Sequence, residues 1–150
     1  GLLVRMTLDQ WQGVMDTNLT SAFLVTREVV KEMLRQKTKE GSVINISSVV
    51  AKIGNRGQTN YGASKAGLIG LTYSCAQEYE GRIRFNALAL GLVDTELVGD
   101  LDEKQREEIA KKSNMITKKE VAEQVLYLAS NNSTNENGRL ITMNGRIVSK

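Results

Sequence analysis

The chain has 150 residues, of which 41% are hydrophobic and 25% charged, proportions that predict one globular domain. It contains no histidine and one cysteine, which excludes a histidine-dependent catalytic triad, a Cys/His zinc site and an internal disulfide. The net charge of +3 is mild, and no apolar run approaches the length of a membrane span. We therefore expect a cytoplasmic protein that binds no metal, no nucleic acid and no membrane.

The first regular element is predicted to be a long amphipathic helix that begins after a loop over residues 1–6. Thr7 and Gln10 have the spacing of a capping box, and apolar residues then recur at helical intervals to about Gln36. Asn18 interrupts the interior of this helix. From the pattern alone, an exposed asparagine tolerated at small cost and a functional asparagine are both open interpretations.

Strands and helices alternate along the rest of the chain. The segment SVINIS, after Gly41, is rich in β-branched residues and is predicted to be a buried strand. Further predicted elements are a helix over 59–79, a strand over 82–89, a loop over 91–100, a charged helix near 103–111, a helix from a Thr117/Glu120 capping box to about 130, and a strand over 139–143. This order predicts an α/β fold with parallel crossovers.

The predicted helix over 59–79 carries several small residues. Ala66, Gly67 and Gly70 permit close approach by a neighbouring helix. Cys75 is expected to be a small core residue, because free cysteines are among the most buried residue types.

The residues with chemical potential lie between Ser48 and Lys65. Tyr61 and Lys65 are four residues apart and therefore share one helix face. A phenol ionises near pH 10 and transfers protons poorly at neutral pH unless its anion is stabilised, which an ammonium one helical turn away does. Ser48 follows a strand-like run and can donate a hydrogen bond to a substrate oxygen. Such a trio suits proton transfer to a carbonyl that is being reduced.

These motifs together resemble the active-site signature of the short-chain dehydrogenase/reductase family. The family pattern Tyr-x-x-x-Lys is present as YGASK, and its serine is present in NISS. The stretches TNLTSAF, GNRGQTNYGASKAGLIGLT and IRFNALALG resemble those of the 3-oxoacyl-[acyl-carrier-protein] reductases. The resemblance covers the chain up to about Asn131.

The resemblance implies the reduction of a 3-oxoacyl-[acyl-carrier-protein] thioester to its 3-hydroxyacyl form in fatty acid synthesis. It implies that Tyr61 gives a proton to the developing alkoxide and that Lys65 assists it while binding the nicotinamide ribose. By the same resemblance, Ser48 polarises the carbonyl and Asn18 positions a water that connects Lys65 with solvent.

The cofactor implied by the resemblance is NADPH. Its contacts would be Tyr61, Lys65, Gly91, Val93 and Thr95. Leu90 stands where the family usually has a proline before this glycine. The residues that select NADP over NAD do not stand in this chain, so that preference stays open.

The resemblance also implies the architecture and the assembly. It places the three strands at one side of a doubly wound, Rossmann-like parallel sheet, so that residues 1–150 form the catalytic part of a single reductase domain. The Gly-rich dinucleotide-binding half is absent, and one edge of the SVINIS strand is then expected to lack a neighbour. Family members are homo-oligomers, usually tetramers. Two alternatives remain open: another reductase of the same family, and a non-catalytic association module.

Overall fold

The computed structural model of the chain describes residues 1–95 and 115–144, together with the backbone of residues 147–149. The charged helix predicted near 103–111, and the part of the predicted 91–100 loop beyond Thr95, lie outside the described residues. The helices and strands are α1 (Leu8–Met15), α2 (Ser21–Arg35), β1 (Gly41–Ser48), α3 (Val50–Ile53), α4 (Thr59–Glu78), β2 (Ile83–Leu90), α5 (Lys118–Ala129), β3 (Arg139–Asn144) and β4 (Ile147–Ser149).

The strands form one sheet in the order β1-β2-β3-β4. β1 pairs with β2, and β2 with β3, in parallel, whereas β4 runs antiparallel to β3. The α/β prediction with three parallel strands is therefore confirmed, with each strand within about a residue of its expected bounds. The strand β4 and the helix α3 were not predicted, because three- and four-residue elements are too short to show a hydrophobic period.

Two layers of helices cover the sheet and enclose two clusters of buried side chains. The cluster between the sheet and α2 and α4 consists of Val30, Cys75, Ala76, Ile83 and Phe85. The cluster on the opposite face, beneath α5, consists of Leu88, Ile116, Leu128, Ile141 and Met143. The prediction that Cys75 belongs to the core is confirmed. β2 contributes to both clusters and is thus the centre of the domain.

The predicted long helix is present, but its middle is a wider turn of π-helix over Asp16–Thr20 that joins α1 to α2. The capping box at its start is confirmed, since the Thr7 side chain accepts from the Gln10 N–H and the Gln10 side chain accepts from the Thr7 N–H. A π turn inserts one residue without interrupting the helix, so the spacing of apolar residues gave no sign of it. A short 3₁₀ helix over Leu3–Arg5 replaces part of the loop predicted for residues 1–6.

The π turn packs closely against α4. A Cβ atom on Gly67 would lie 2.6 Å from Cδ2 of Leu19, so the close approach predicted at this glycine is confirmed. At Gly70 no close approach is seen, because no described atom would lie within 4 Å of a Cβ atom there. The small residue that sets the distance between these helices is therefore Gly67.

The outer edge of β1 is open within the described part of the chain. The sheet ends at β1, and Ile46 in its middle is 39% exposed. This agrees with the expectation that the edge of the SVINIS strand lacks a neighbour. None of the described helices is both long and apolar enough to cross a membrane.

Candidate active site

Ser48 is the last residue of β1 and is buried, with 7% of its surface exposed. Its position is held by the sheet, since the next residue, Val49, donates its N–H to the carbonyl of Leu90 at 3.0 Å. The Ser48 hydroxyl oxygen accepts a hydrogen bond from the N–H of Val50 at 3.2 Å. Because this contact uses only an acceptor position, the Ser48 O–H remains able to donate to a ligand oxygen.

Tyr61 and Lys65 lie one turn apart near the start of α4, as their spacing predicts. The Lys65 Nζ atom is 5.8 Å from the centroid of the Tyr61 ring. The same ammonium donates a hydrogen bond to the carbonyl oxygen of Ile46 at 2.9 Å. Burial lowers the pKa of Lys65 from its usual range, because a half-buried ammonium loses part of its hydration.

Two further contacts join β1 to α4 and fix the site's geometry. The Ser47 hydroxyl donates to the main-chain carbonyl of Lys65 at 2.8 Å, and the amide of Asn45 donates to the Thr72 hydroxyl at 2.9 Å. Because Lys65 contacts both residues that directly precede Ser48, the structure brings the predicted lysine and serine to the same end of β1.

Asn18 lies in the π turn, half-buried against α4. Its side-chain amide donates to the Ser64 hydroxyl at 3.0 Å, and that hydroxyl in turn donates to the carbonyl of Tyr61 at 2.8 Å. The interpretation of Asn18 as merely exposed is therefore wrong. Its side chain is instead linked to the turn of α4 that carries Tyr61 and Lys65. π turns are frequent at functional sites, which makes this placement notable.

Ser64 is fully buried and was not singled out from the sequence. A serine inside a helix commonly bonds to a carbonyl of the preceding turn, so its residue type alone did not indicate a role. The signal that was available is its position directly before Lys65, on the helix face next to that of Tyr61. Through its hydrogen bonds, Ser64 connects Asn18 of the π turn with the carbonyl of Tyr61 in α4.

The structure brings only some of the cofactor contacts predicted after β2 to the edge of the sheet where Ser48 lies. Gly91 follows Leu90, which is the register partner of Ser48, so Gly91 lies at the same carboxyl edge of the sheet. A Cβ atom on Gly91 would lie 2.5 Å from the Asn144 side-chain oxygen, which explains a glycine here. Val93 forms a parallel bridge with Ile116.

Thr95 is further along the chain from Tyr61 and Lys65 than Gly91 and Val93 are. It lines a shallow hollow with Asp94 and with the first residues of α5, Lys118 and Lys119. No described contact links Thr95 to Tyr61 or Lys65. Among the residues that the structure describes, no three acidic, cysteine or histidine side chains are grouped as metal ligands would be.

Comparison with known proteins assigns the fold and the Tyr-x-x-x-Lys helix to a family. Residues 1–145 match a family model described as enoyl-(acyl carrier protein) reductase. The chain belongs to the short-chain dehydrogenase/reductase family. Members of this family are NAD(P)-dependent oxidoreductases, so the resemblance stated from the sequence is confirmed.

Several curated relatives of this family match nearly the whole chain. A 3-oxoacyl-[acyl-carrier-protein] reductase of Thermotoga maritima is 44% identical over 98% of the chain and 61% of the relative. A nodulation protein G of Rhizobium sp. strain N33 is 44% identical over 99% of the chain and 61% of the relative. A 3-oxoacyl-[acyl-carrier-protein] reductase of Chlamydia pneumoniae is 40% identical over 98% of the chain and 60% of the relative. The chain thus spans about three fifths of the length of these short-chain dehydrogenase/reductases.

Proposed function

We propose that the protein reduces 3-oxoacyl-[acyl-carrier-protein] thioesters to 3-hydroxyacyl thioesters with NADPH, as a step of fatty acid synthesis in the cytoplasm. The observation that carries this proposal is the hydrogen bond from the Lys65 ammonium to the carbonyl of Ile46, two residues before Ser48, with the Tyr61 ring 5.8 Å from the same ammonium. The names of the Thermotoga and Chlamydia relatives support the choice of substrate.

The proposed chemistry assigns each of the three side chains one task. The Tyr61 hydroxyl gives its proton to the substrate oxygen as negative charge develops there. The Ser48 O–H donates a hydrogen bond to the same oxygen, which stabilises that charge. The Lys65 ammonium, close to the Tyr61 ring, favours the phenolate that remains after proton transfer. A bound nicotinamide cofactor supplies the hydride.

The residues present fit the nicotinamide end of such a cofactor. An ammonium carries three N–H donors, and the hydrogen bond to Ile46 uses one of those on Lys65. Two donors are therefore available for ribose hydroxyls. Gly91 offers a stretch of main chain unobstructed by a side chain of its own, next to Ser48 across the sheet. We propose that Tyr61, Val93 and Thr95 complete the contacts to the cofactor.

We propose that Asn18 supports the site by holding α4 in place. The family resemblance adds a second proposed role, in which Asn18 positions a water that connects Lys65 with solvent. Its bond to Ser64 ties the π turn to the helical turn that carries Tyr61 and Lys65.

We further propose that the acyl chain is presented by an acyl carrier protein and that the protein forms homo-oligomers. The exposed apolar residues of α2, including Phe23 and Val25, are compatible with such association.

Replacement of Tyr61 tests the proposal. In the purified protein at its full natural length, Tyr61→Phe should lower kcat for an acetoacetyl thioester with NADPH by about 10²–10⁴-fold, the usual contribution of a positioned proton donor. Tyr73→Phe is the matched control, because Tyr73 is an exposed tyrosine of the same helix. Unchanged turnover by Tyr61→Phe would refute the assignment of the proton donor.

Two other functions follow from particular observations. The nodulation protein G relative is as similar as the Thermotoga reductase, which favours a reductase with another substrate as the second candidate. Faster turnover of free ketones and alcohols than of acyl thioesters would support it. The exposed apolar residues of α2 keep a non-catalytic association module as the third candidate. Failure of the natural protein to bind either nicotinamide cofactor would support that one.

A further inference from the structure

The first turns of α4 carry two neighbouring rows of residues. Tyr61 and Lys65 form one row, and the lysine of this row donates to the main chain of β1. Asn60, Ser64 and Gly67 form the other row, because residues three and four positions apart share a helix face. Successive residues of an α-helix are turned by about 100°, so the rotation of α4 about its axis sets the direction of both rows together.

The second row docks on α1 and on the π turn. The Asn60 amide donates a hydrogen bond to the carbonyl of Gln10 in α1 at 3.0 Å, although 50 positions separate the two residues. One turn later, the Asn18 amide of the π turn donates to the Ser64 hydroxyl at 3.0 Å. The last residue of the row is the glycine that packs against the π turn. Three successive contacts therefore hold this face of α4.

Asn60 connects the main chain of Tyr61 with α1. Its side-chain oxygen accepts from the N–H of Tyr61 at 2.9 Å, while its amide nitrogen donates to the carbonyl of Gln10. The N–H groups in the first turn of a helix have no partner within the helix, so a side chain that accepts from one of them is well placed. A single half-buried side chain thus links the start of α4 to another helix.

Ser64 fixes the direction of the hydrogen bonds around it. Its hydroxyl donates to the carbonyl of Tyr61 at 2.8 Å, and a carbonyl can only accept. The Ser64 oxygen therefore accepts from Asn18, whose side chain must present its NH₂ group to α4. Ser64 is fully buried, and a buried hydroxyl that both donates and accepts restricts its neighbours to one arrangement.

The sheet holds a different side of α4. The Ser47 hydroxyl donates to the main-chain carbonyl of Lys65 at 2.8 Å, and the Asn45 amide donates to the Thr72 hydroxyl at 2.9 Å. Contacts on one side of a helix restrain its distance from the sheet more than its rotation. The contacts to α1 and the π turn supply the second side and so complete the restraint.

We propose that Asn60 and Ser64 are positioning residues for the reduction, because they fix the rotation of α4 and thereby the direction of Tyr61 and Lys65. The effect on turnover rests on the proposed function, whereas the docking of α4 does not. Since Tyr61 and Lys65 belong to one helix, a rotation moves both relative to Ser48 and preserves their mutual distance. A misplacement of about 1 Å at a reacting group can lower a rate by about a hundredfold.

The variant Asn60→Asp isolates the contact with α1, in the purified protein at its full natural length. A carboxylate still accepts from the N–H of Tyr61, but it has no hydrogen to donate to the carbonyl of Gln10. The kcat for an acetoacetyl thioester with NADPH should fall by about tenfold or more. Gln58→Glu is the matched control, because it adds the same charge two residues earlier and keeps an acceptor for the Asn55 amide. It should leave kcat unchanged.

The variant Ser64→Ala removes the link to the π turn. The kcat should fall by about tenfold to a hundredfold, and the solvent deuterium isotope effect on kcat should rise, because proton transfer from a misdirected Tyr61 becomes slower. A loss of folded protein alone would leave the isotope effect unchanged. Ser74→Ala, at an exposed serine of the same helix, is the control. In an Asn18→Ala background, Ser64→Ala should add little, because the two residues act through one bond.

Crystal structures of Asn60→Asp and Ser64→Ala supply a test without turnover. In both variants the first turns of α4 should be displaced relative to β1, compared with the unmodified protein. Full kcat in both variants, an unchanged isotope effect in Ser64→Ala, or an undisplaced α4 would overturn the inference. If the unmodified protein reduces no acyl thioester but the variants displace α4, the proposed function is refuted and the docking of α4 by these two residues is supported.

Discussion

β1 and β2 are parallel neighbours of eight residues each, yet their surroundings differ. β2 pairs with a strand on both sides and has six buried residues, whereas β1 pairs on one side and has four. Position in the sheet and sequence both contribute to this difference, because the β1 sequence GSVINISS is less apolar than the β2 sequence IRFNALAL. The proposed catalytic serine ends the less protected strand. β2 therefore holds more of the buried core, whereas the proposed catalytic serine ends the strand with fewer buried residues.

The largest expected effect is the loss of stability when one apolar side chain in each strand is shortened. Phe85→Ala in β2 should lower the free energy of unfolding by about 3–5 kcal/mol, since this fully buried ring packs in a cluster with α2 and α4. Ile46→Ala in β1 should cost less than about 1.5 kcal/mol, because Ile46 is 39% exposed. Urea denaturation monitored by circular dichroism measures both. Equal losses would contradict the comparison.

A smaller effect concerns the buried asparagine in each strand. Asn86 of β2 donates to the carbonyl of Glu136 at 2.7 Å and accepts from the N–H of Arg139 at 3.0 Å, which fixes the turn into β3. Asn86→Ala should cost about 2–3 kcal/mol, because it leaves both main-chain groups without this partner.

The matched change in β1 is Asn45→Ala, which removes one bond to the Thr72 hydroxyl. That hydroxyl keeps its bond to the carbonyl of Leu68 at 2.7 Å, so the expected cost is about 1 kcal/mol. The same denaturation experiment applies. A larger loss at Asn45 than at Asn86 would mean that the contact of α4 with β1 supports more of the fold than the sheet centre does.

The smallest expected effect lies within β1 itself. Gly41 and Val49 donate their N–H groups to the carbonyls of Arg82 and Leu90, so by the alternation of a parallel strand the N–H of Val43 faces β2 and that of Ile44 faces the open edge. Hydrogen exchange measured by NMR should therefore be at least about tenfold faster at Ile44 than at Val43. In β2 the neighbouring residues Ala87 and Leu88 should be protected alike. Equal protection along β1 would show that its edge is covered in solution.

Much of this fold could be predicted from the sequence, because its helices and strands have strong local signals. The Thr7 and Thr117 capping boxes marked two helix starts correctly, and both reciprocal bond pairs are present. β-branched residues marked β1. The π turn and the three-residue β4 could not be predicted, because the first preserves the apolar spacing of a helix and the second is stabilised by its pairing with β3.

The candidate site was predictable in its residue types but not in its connections. The four-residue spacing placed Tyr61 and Lys65 on one face of α4, as observed. The bond from Lys65 to the Ile46 carbonyl joins residues 19 positions apart, and that from Asn18 to Ser64 joins residues 46 apart. Such partners depend on how α4 docks against β1 and the π turn, which local patterns do not specify.

The π turn also constrains which changes in chain length the protein tolerates. Each residue of an α-helix rotates the following side chains by about 100° and advances them by about 1.5 Å. A π turn holds one residue more than an α turn, so deleting one residue within Asp16–Thr20 would restore a regular helix and leave Val30 directed into the core. What such a deletion would change is the placement of Asn18 within the turn, so homologous sequences that fold this way should differ in length at this turn and vary by substitution in the rest of α1 and α2.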